Sequence, residues 1–191
     1  AYASAGISGL GNEAVTLSGA TASSATLNAL DLQTSGLIDA SAATSVGGTM
    51  ANLLAVYAST GITGLGNEFV TLTDATATAV DLNTLNAATT DTVQMGAVLV
   101  VTGSLADLAV TYSESGFRGR GNEAVTLSNT TADAASLNSL DSKTTGVIDA
   151  ASVTLLTGDV AGIAKATASA GISGLGNAAY DVTGTTSANT I

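Results

Sequence analysis

The stretch "GITGLGNEFVTLTDATATAVDLNTLN", residues 61–86, decides the fold, because nearly the same phrase stands at an equal distance to either side. Before it comes "GISGLGNEAVTLSGATASSATLNALD" at 6–31, and after it "GFRGRGNEAVTLSNTTADAASLNSLD" at 116–141. A shortened copy, "GISGLGNAAYDV", follows at 171–182. Gly6, Gly61, Gly116 and Gly171 keep the register without an insertion, as do Asn12, Asn67, Asn122 and Asn177. Self-similarity at a fixed period is the mark of a repeat architecture. The chain therefore reads as one repeat domain, 1–191, with repeats at 2–56, 57–111 and 112–166, and a partial repeat or C-terminal cap at 167–191.

Two structural periods alternate within each repeat. "AVTLS" at 14–18, "FVTLT" at 69–73 and "AVTLS" at 124–128 are short, rich in β-branched residues and bounded by turn formers, which predicts strands. The segments after them place Leu27 and Leu30, Leu82 and Leu85, and Leu137 and Leu140 three apart among small residues, the spacing of a short helix with one buried stripe. An extended segment then closes on Gly48, Gly103 or Gly158. Thr49, Ser104 and Asp159 come next, each a favoured N-cap for a second helix. That second helix is expected to run until Gly61, Gly116 or Gly171 as its left-handed C′ residue.

Each repeat thus reads as strand, helix, strand, helix. The expected fold is an α/β solenoid of parallel β-strands alternating with short helices, with a coil of about 27 residues and two coils per 55-residue repeat. A β-solenoid with short helices is the alternative, and a fibre-like trimer a third. One repeat cannot cover its own apolar faces, so the phrase recurs because each coil buries its neighbour. The glycines of "GISGLGNE" supply tight turns between helix and strand.

Composition narrows the function. Cysteine, histidine, proline and tryptophan are absent, which removes disulfides, imidazole and thiolate metal sites, and Cys or His nucleophiles. Fifteen acidic and four basic residues give a net charge of −11, opposed to nucleic-acid and anionic membrane surfaces as partners. The longest apolar run, around Val98, is too short to span a bilayer. No leader is visible in "AYASAGISGL", and the chain opens inside a repeat, which reads as an excerpt of something longer.

"GISGLGNE" sits after a helix and ahead of a strand, the reverse of a phosphate loop, and has no Gly-Lys-Ser/Thr ending. Asp39 and Asp149 become Gln94 in the middle repeat, and Asp31 and Asp141 become Asn86, changes that fit capping roles and not acid–base chemistry. Tyr2, Tyr57 and Tyr112 read as packing residues at the close of the second helix. Thr16, Thr71 and Thr126 read as an outward strand position. Arg118 and Arg120 form the one basic cluster, and a polysaccharide-lyase type of site would need more cations than Arg118, Arg120, Lys143 and Lys165 provide.

The loop is similar to the calcium-binding nonapeptide of RTX-type proteins, with Gly64, Gly66, Glu68 and Val70 on the motif positions but Thr63 in place of its first glycine. That resemblance implies weak calcium sites at Glu13, Glu68 and Glu123, helped by Asp31 or Asp141; the plain reading of these acids is that they satisfy loop amides. Over nearly its whole length the chain resembles the Ala/Thr/Gly-rich repeat arrays of giant secreted surface proteins of cyanobacteria and other aquatic bacteria. "TASSATLNALD" is similar to a short phrase of phage tail-fibre repeats. The first resemblance implies an extracellular or cell-surface location without catalysis. No cofactor other than calcium is expected. The function expected is a structural repeat protein that associates head to tail into a filament, sheath or surface coat, because incomplete repeats at 1 and 191 can complete each other. The alternative is a monomeric adhesin or spacer of a large surface protein or viral fibre, binding carbohydrate or a cell surface.

Overall fold

A computed structural model describes residues 9–184 of the chain. Tyr2 and Gly6 lie outside the described residues.

The elements follow the repeat. First come β1 (Val15–Thr16), β2 (Thr21–Ser23), α1 (Ser24–Asp31), β3 (Ile38–Asp39), β4 (Ser45–Gly48), α2 (Met50–Ala58) and β5 (Ile62–Thr63). Next are β6 (Phe69–Leu72), β7 (Thr76–Thr78), α3 (Ala79–Ala88), β8 (Val93–Gln94), β9 (Val100–Gly103), α4 (Leu105–Thr111) and β10 (Phe117–Arg118). Then come β11 (Ala124–Leu127), β12 (Thr131–Asp133), α5 (Ala134–Asp141), β13 (Ile148–Asp149), β14 (Leu155–Gly158), α6 (Val160–Ala168), β15 (Ile172–Ser173), a 3₁₀ turn at Leu175–Asn177 and β16 (Ala179–Val182).

The architecture is α/β, with short helices between strands that pair only in parallel, in four sheets among the described residues. The described chain forms two compact units. One holds the described residues up to Ala77 together with Asp81–Val98 and Ser115–Gly119; the other holds Thr78–Val80, Leu99–Glu114 and the described residues from Arg120 onward. In the first, β1, β3 and β5 form one sheet and β2, β4, β6, β8 and β10 another. In the second, β9, β11, β13 and β15 lie side by side, and β12, β14 and β16 make a separate sheet.

The step between paired strands is shorter than the roughly 27 residues expected for a coil. Val46 pairs with Val70, Ile38 with Ile62, Val101 with Val125 and Leu156 with Tyr180, while Val15 pairs with Ile38 and Val70 with Val93. The first four pairings advance the chain by 24 residues, the separation at which Asp74 also bonds to Met50. The last two advance it by 23 residues, the separation of Ser24 from its partner Gly47. The coil expected from half a repeat is longer than either. Two such steps do not fill a 55-residue repeat, and the excess is the segment from Ile62 to Phe69, which takes the chain from β5 into β6 of the other sheet. Each repeat consequently contains more strands than two. The expected helix beginning "TAS", "TAT" or "TAD" also yields its first three residues to strands β2, β7 and β12.

The interior is aliphatic. In β6, Val70 and Leu72 point inward while Phe69 and Thr71 are half-exposed, the period-2 alternation of a strand with one dry face. Leu82 and Leu85 of α3 and Leu137 and Leu140 of α5 are buried, as the three-residue spacing predicts. Each buried leucine contributes about 1.5–3 kcal/mol. The expected N-caps are present: Thr49, Ser104 and Asp159 accept from the amides of Asn52, Asp107 and Gly162. A second cap arrives from the next step, where Asp74 accepts from the Met50 amide at 2.6 Å and Asn129 from the Leu105 amide at 2.6 Å.

Gly61, Gly116 and Gly171 are not left-handed C′ residues, since their φ angles lie outside that region. What they need is space: a Cβ on Gly61 would collide with Asp31 Oδ1, and one on Gly171 with Asp141 Oδ1. The left-handed glycine is Gly64, at φ +81°, where an added Cβ would also lie 2.7 Å from the Ser41 amide nitrogen. Gly9 has φ +83° and nothing within 4 Å of such a Cβ. Gly9→Ala is expected to cost about 1–2 kcal/mol of left-handed strain. Gly64→Ala must also displace the Ser41 backbone and is expected to cost clearly more; urea denaturation of the two variants checks this, and equal losses would contradict it.

Candidate functional site

The repeated loop is built around a glutamate. The amides of Gly11, Gly66 and Gly121 donate to the carboxylates of Glu13, Glu68 and Glu123 two residues further on, at 2.6, 2.9 and 2.7 Å. Tyr57 Oη donates to Glu68 Oε2 at 3.0 Å, and Tyr112 Oη to Glu123 Oε2 at 3.1 Å. Both of these glutamates are buried, at 0% and 1% exposure. Their backbone is held as well: Thr89 Oγ1 donates to the Glu68 carbonyl at 2.7 Å and Thr144 Oγ1 to the Glu123 carbonyl at 3.2 Å, and Thr34 does the same for Glu13 at 2.7 Å.

Each tyrosine-bearing clasp therefore joins three pieces of chain: the end of a helix through tyrosine, the turn through glycine, and the following step through threonine. Burial, followed by the neighbouring carboxylate, pushes the hydroxyls of Tyr57 and Tyr112 well above their ordinary value, so both remain protonated donors. Arg120 adds a donor beside the Tyr112 clasp, its Nη1 bonding to the Thr111 carbonyl.

The last copy shows the coupling by its loss. Thr167 stands where tyrosine would, and Ala178 where glutamate would. Without the carboxylate the loop closes on itself as the Leu175–Asn177 turn, with the Ala178 amide donating to the Leu175 carbonyl at 3.1 Å.

This geometry matches the plain reading of the acids as loop anchors. The carboxylate oxygens that bond accept from N–H and O–H donors, while Glu123 Oε1 is buried without a hydrogen-bond partner. Asp31 and Asp141 are also engaged, accepting from the hydroxyls of Ser59 at 2.7 Å and Ser169 at 2.8 Å. Among the described residues no three acidic side chains gather as a cation site.

Asp39 and Asp149 form tight turns, each accepting from the amide two residues on at 3.0 Å. The bonds from Ser41 hold the Asp39 carboxyl below its usual range. Asn12, Asn67, Asn122 and Asn177 are exposed on the turns. Sequence reasoning misses the clasping threonines Thr34, Thr89 and Thr144, although they too recur at the repeat period.

Two open grooves run between helices at equivalent repeat positions. The groove between α1 and α2, about 590 Å³, is lined by residues including Asn28, Asp31 and Asn52. That between α5 and α6, about 470 Å³, is lined by residues including Asn138, Ser139, Asp159 and Lys165. Asn138 donates to the Gly162 carbonyl at 2.9 Å, but its Oδ1 is buried without a hydrogen-bond partner. No helix among the described residues is long and apolar enough to cross a membrane. Compared with known protein families, curated proteins and solved structures, the chain matches none.

Removing one partner of a buried polar pair strands the other, at about 1–3 kcal/mol. Tyr112→Phe and Glu123→Ala are each expected to lose stability in that range. The double variant, which approaches the Thr167 and Ala178 pair of the last copy, is expected to lose less than the sum; additivity in a double-mutant cycle would contradict the clasp. The tyrosines also set an alkaline limit. The fold retains protons that unfolded tyrosines release near their ordinary value of 10.0, so the tyrosines' contribution to stability should be constant below that pH and fall as pH rises above it. Tyr57→Phe with Tyr112→Phe should flatten the fall, measured by urea midpoints across alkaline pH.

Proposed function

We propose that the chain is an extracellular structural repeat protein: an α/β solenoid that associates with further copies of itself into a filament, sheath or surface coat, without catalysis. The observation that carries this reading is the constant register. Parallel strands recur at nearly the same step in both compact units, and side chains such as Asp74 and Asn129 cap helices one step away. Structure in which each step is completed by the next can be extended by any chain bearing the same repeat. Hydrogen bonds from tyrosine, glycine and threonine to Glu68 and Glu123 hold that repetition. The resemblance to giant secreted surface proteins supports the location. Electron microscopy of the purified chain tests the reading: fibres of uniform width are expected, and discrete single particles at every concentration would overturn it.

A second reading, an adhesin or spacer that binds carbohydrate, is favoured by the α5/α6 groove. There a buried amide oxygen of Asn138 lacks a partner beside the side chains of Ser139 and Lys165. Glycan binding that is lost in Asn138→Ala, with no fibres formed, would support it.

A further inference from the structure

The α1/α2 and α5/α6 grooves stand two repeats apart, and matching their positions shows what is different in the second. Asn28 and Asn138 hold the same repeat position, and each donates to the following helix, to the Asn52 carbonyl at 3.0 Å and to the Gly162 carbonyl at 2.9 Å. In the first groove the Asn52 side chain also stands against Asn28, with its Oδ1 3.5 Å from Asn28 Nδ2. In the second, Gly162 leaves that place empty, although glycine inside a helix is unfavourable. Ala29, Leu32 and Ala55 likewise give way to Ser139, Ser142 and Lys165. A wall of alanine and leucine has become one of hydroxyls and an ammonium. The middle repeat has Thr84, Ala87, Asp107 and Val110 at these positions, so the full set belongs to the third repeat alone.

This groove also holds a polar atom without a partner. Asn138 is 7% exposed, and its Oδ1 is buried with no hydrogen bond. A stranded amide oxygen costs free energy until a donor reaches it. Ser139, Ser142, Asp159 and Lys165 line the groove with it. Asp159 accepts from the Gly162 amide through Oδ1 at 2.6 Å, and Lys165, three residues beyond Gly162 on the same face of α6, is exposed. The volume of about 470 Å³ falls within the range of roughly 300–1,000 Å³ for small-ligand sites. The α1/α2 groove is open as well, although the chain continues past α2, so openness here is a property of paired helices.

We propose that the α5/α6 groove binds an acidic sugar unit, a uronate of a polysaccharide, with its carboxylate on Lys165 and its hydroxyls directed to Asn138 and Asp159. The ammonium calls for an anion, while the Asn138 oxygen and the Asp159 carboxylate call for donors, and one uronate ring carries both. An aspartate or glutamate of another protein chain brings acceptors only and would leave the Asn138 oxygen stranded. A neutral sugar would leave Lys165 without a counter-charge. The proposal rests on the adhesin or spacer reading above and gives that reading its ligand class and its residues.

Trigalacturonate, its methyl ester and a triglutamate peptide are titrated into the isotope-labelled chain and followed by amide NMR, with Lys165→Ala and Gly162→Asn carried through the same series. Lys165 is exposed, and a Cβ on Gly162 would lie 2.9 Å from Asp159 Oδ1, the end of a rotatable side chain, so both variants should keep the circular dichroism of the unaltered chain. Trigalacturonate is expected to shift the signals of Ser139, Ser142 and Lys165. The ester, and trigalacturonate with Lys165→Ala, should bind at least about tenfold more weakly, the loss of one charge-assisted contact. Gly162→Asn, which refills the groove as Asn52 does the first, should abolish the shifts. Ester or peptide binding as tight as that of trigalacturonate, or sugar shifts confined to other residues, would overturn the uronate site and leave the adhesin reading standing. No shift with either sugar would overturn both.

Discussion

Strands of two to four residues cannot hold their own register, and that constraint governs everything else in this chain. A ladder as short as Ile38–Asp39 against Ile62–Thr63 exchanges very few backbone hydrogen bonds, too few to resist slippage. Register has to be fixed at the corners. The glutamate clasp does so, tying Tyr57, Gly66 and Thr89 to Glu68, and Tyr112, Gly121 and Thr144 to Glu123. Between clasps, Ser59 on Asp31 and Asp74 on the first amide of α2 bind one step to the next. The interior can then be made of small aliphatic side chains, because specificity comes from buried polar groups and not from large interlocking ones.

This distribution of polar groups gives the chain its character. Of its acidic residues, Glu68 and Glu123 lie inside, each held by a tyrosine hydroxyl and a glycine amide, while the turn aspartates bond to their own loops. The proposed structural and self-associating role draws on the groups that do reach the next repeated step, such as Asp74 and Asn129.

Much of this is legible in the sequence, and the remainder is hidden for identifiable reasons. The 55-residue period, the strands around Val70 and Val125, the leucine stripes of α3 and α5 and the caps Thr49, Ser104 and Asp159 all follow from spacing and residue chemistry. Halving the repeat misleads on coil length because it assumes equal coils, whereas the segment between β5 and β6 belongs to a change of sheet. Gly61 and Gly171 suggest left-handed backbone because glycine after a helix is so often of that kind. Their true reason is the nearness of Asp31 and Asp141, which is a tertiary fact. The clasp is half visible: Tyr57 and Glu68, and Tyr112 and Glu123, repeat at one spacing and disappear together at Thr167 and Ala178. Only the fold shows that this joint loss reflects a hydrogen bond.

The length of the step from strand to paired strand separates a chain with a sheet change in every repeat from one with two equal coils. Nuclear Overhauser contacts between strand backbones measure it directly. Contacts of Val70 with Val46 and of Leu156 with Tyr180 are expected, in the register of the parallel ladders. Backbone contacts spaced instead at half of the 55-residue repeat would contradict the observed strand steps and the sheet change together.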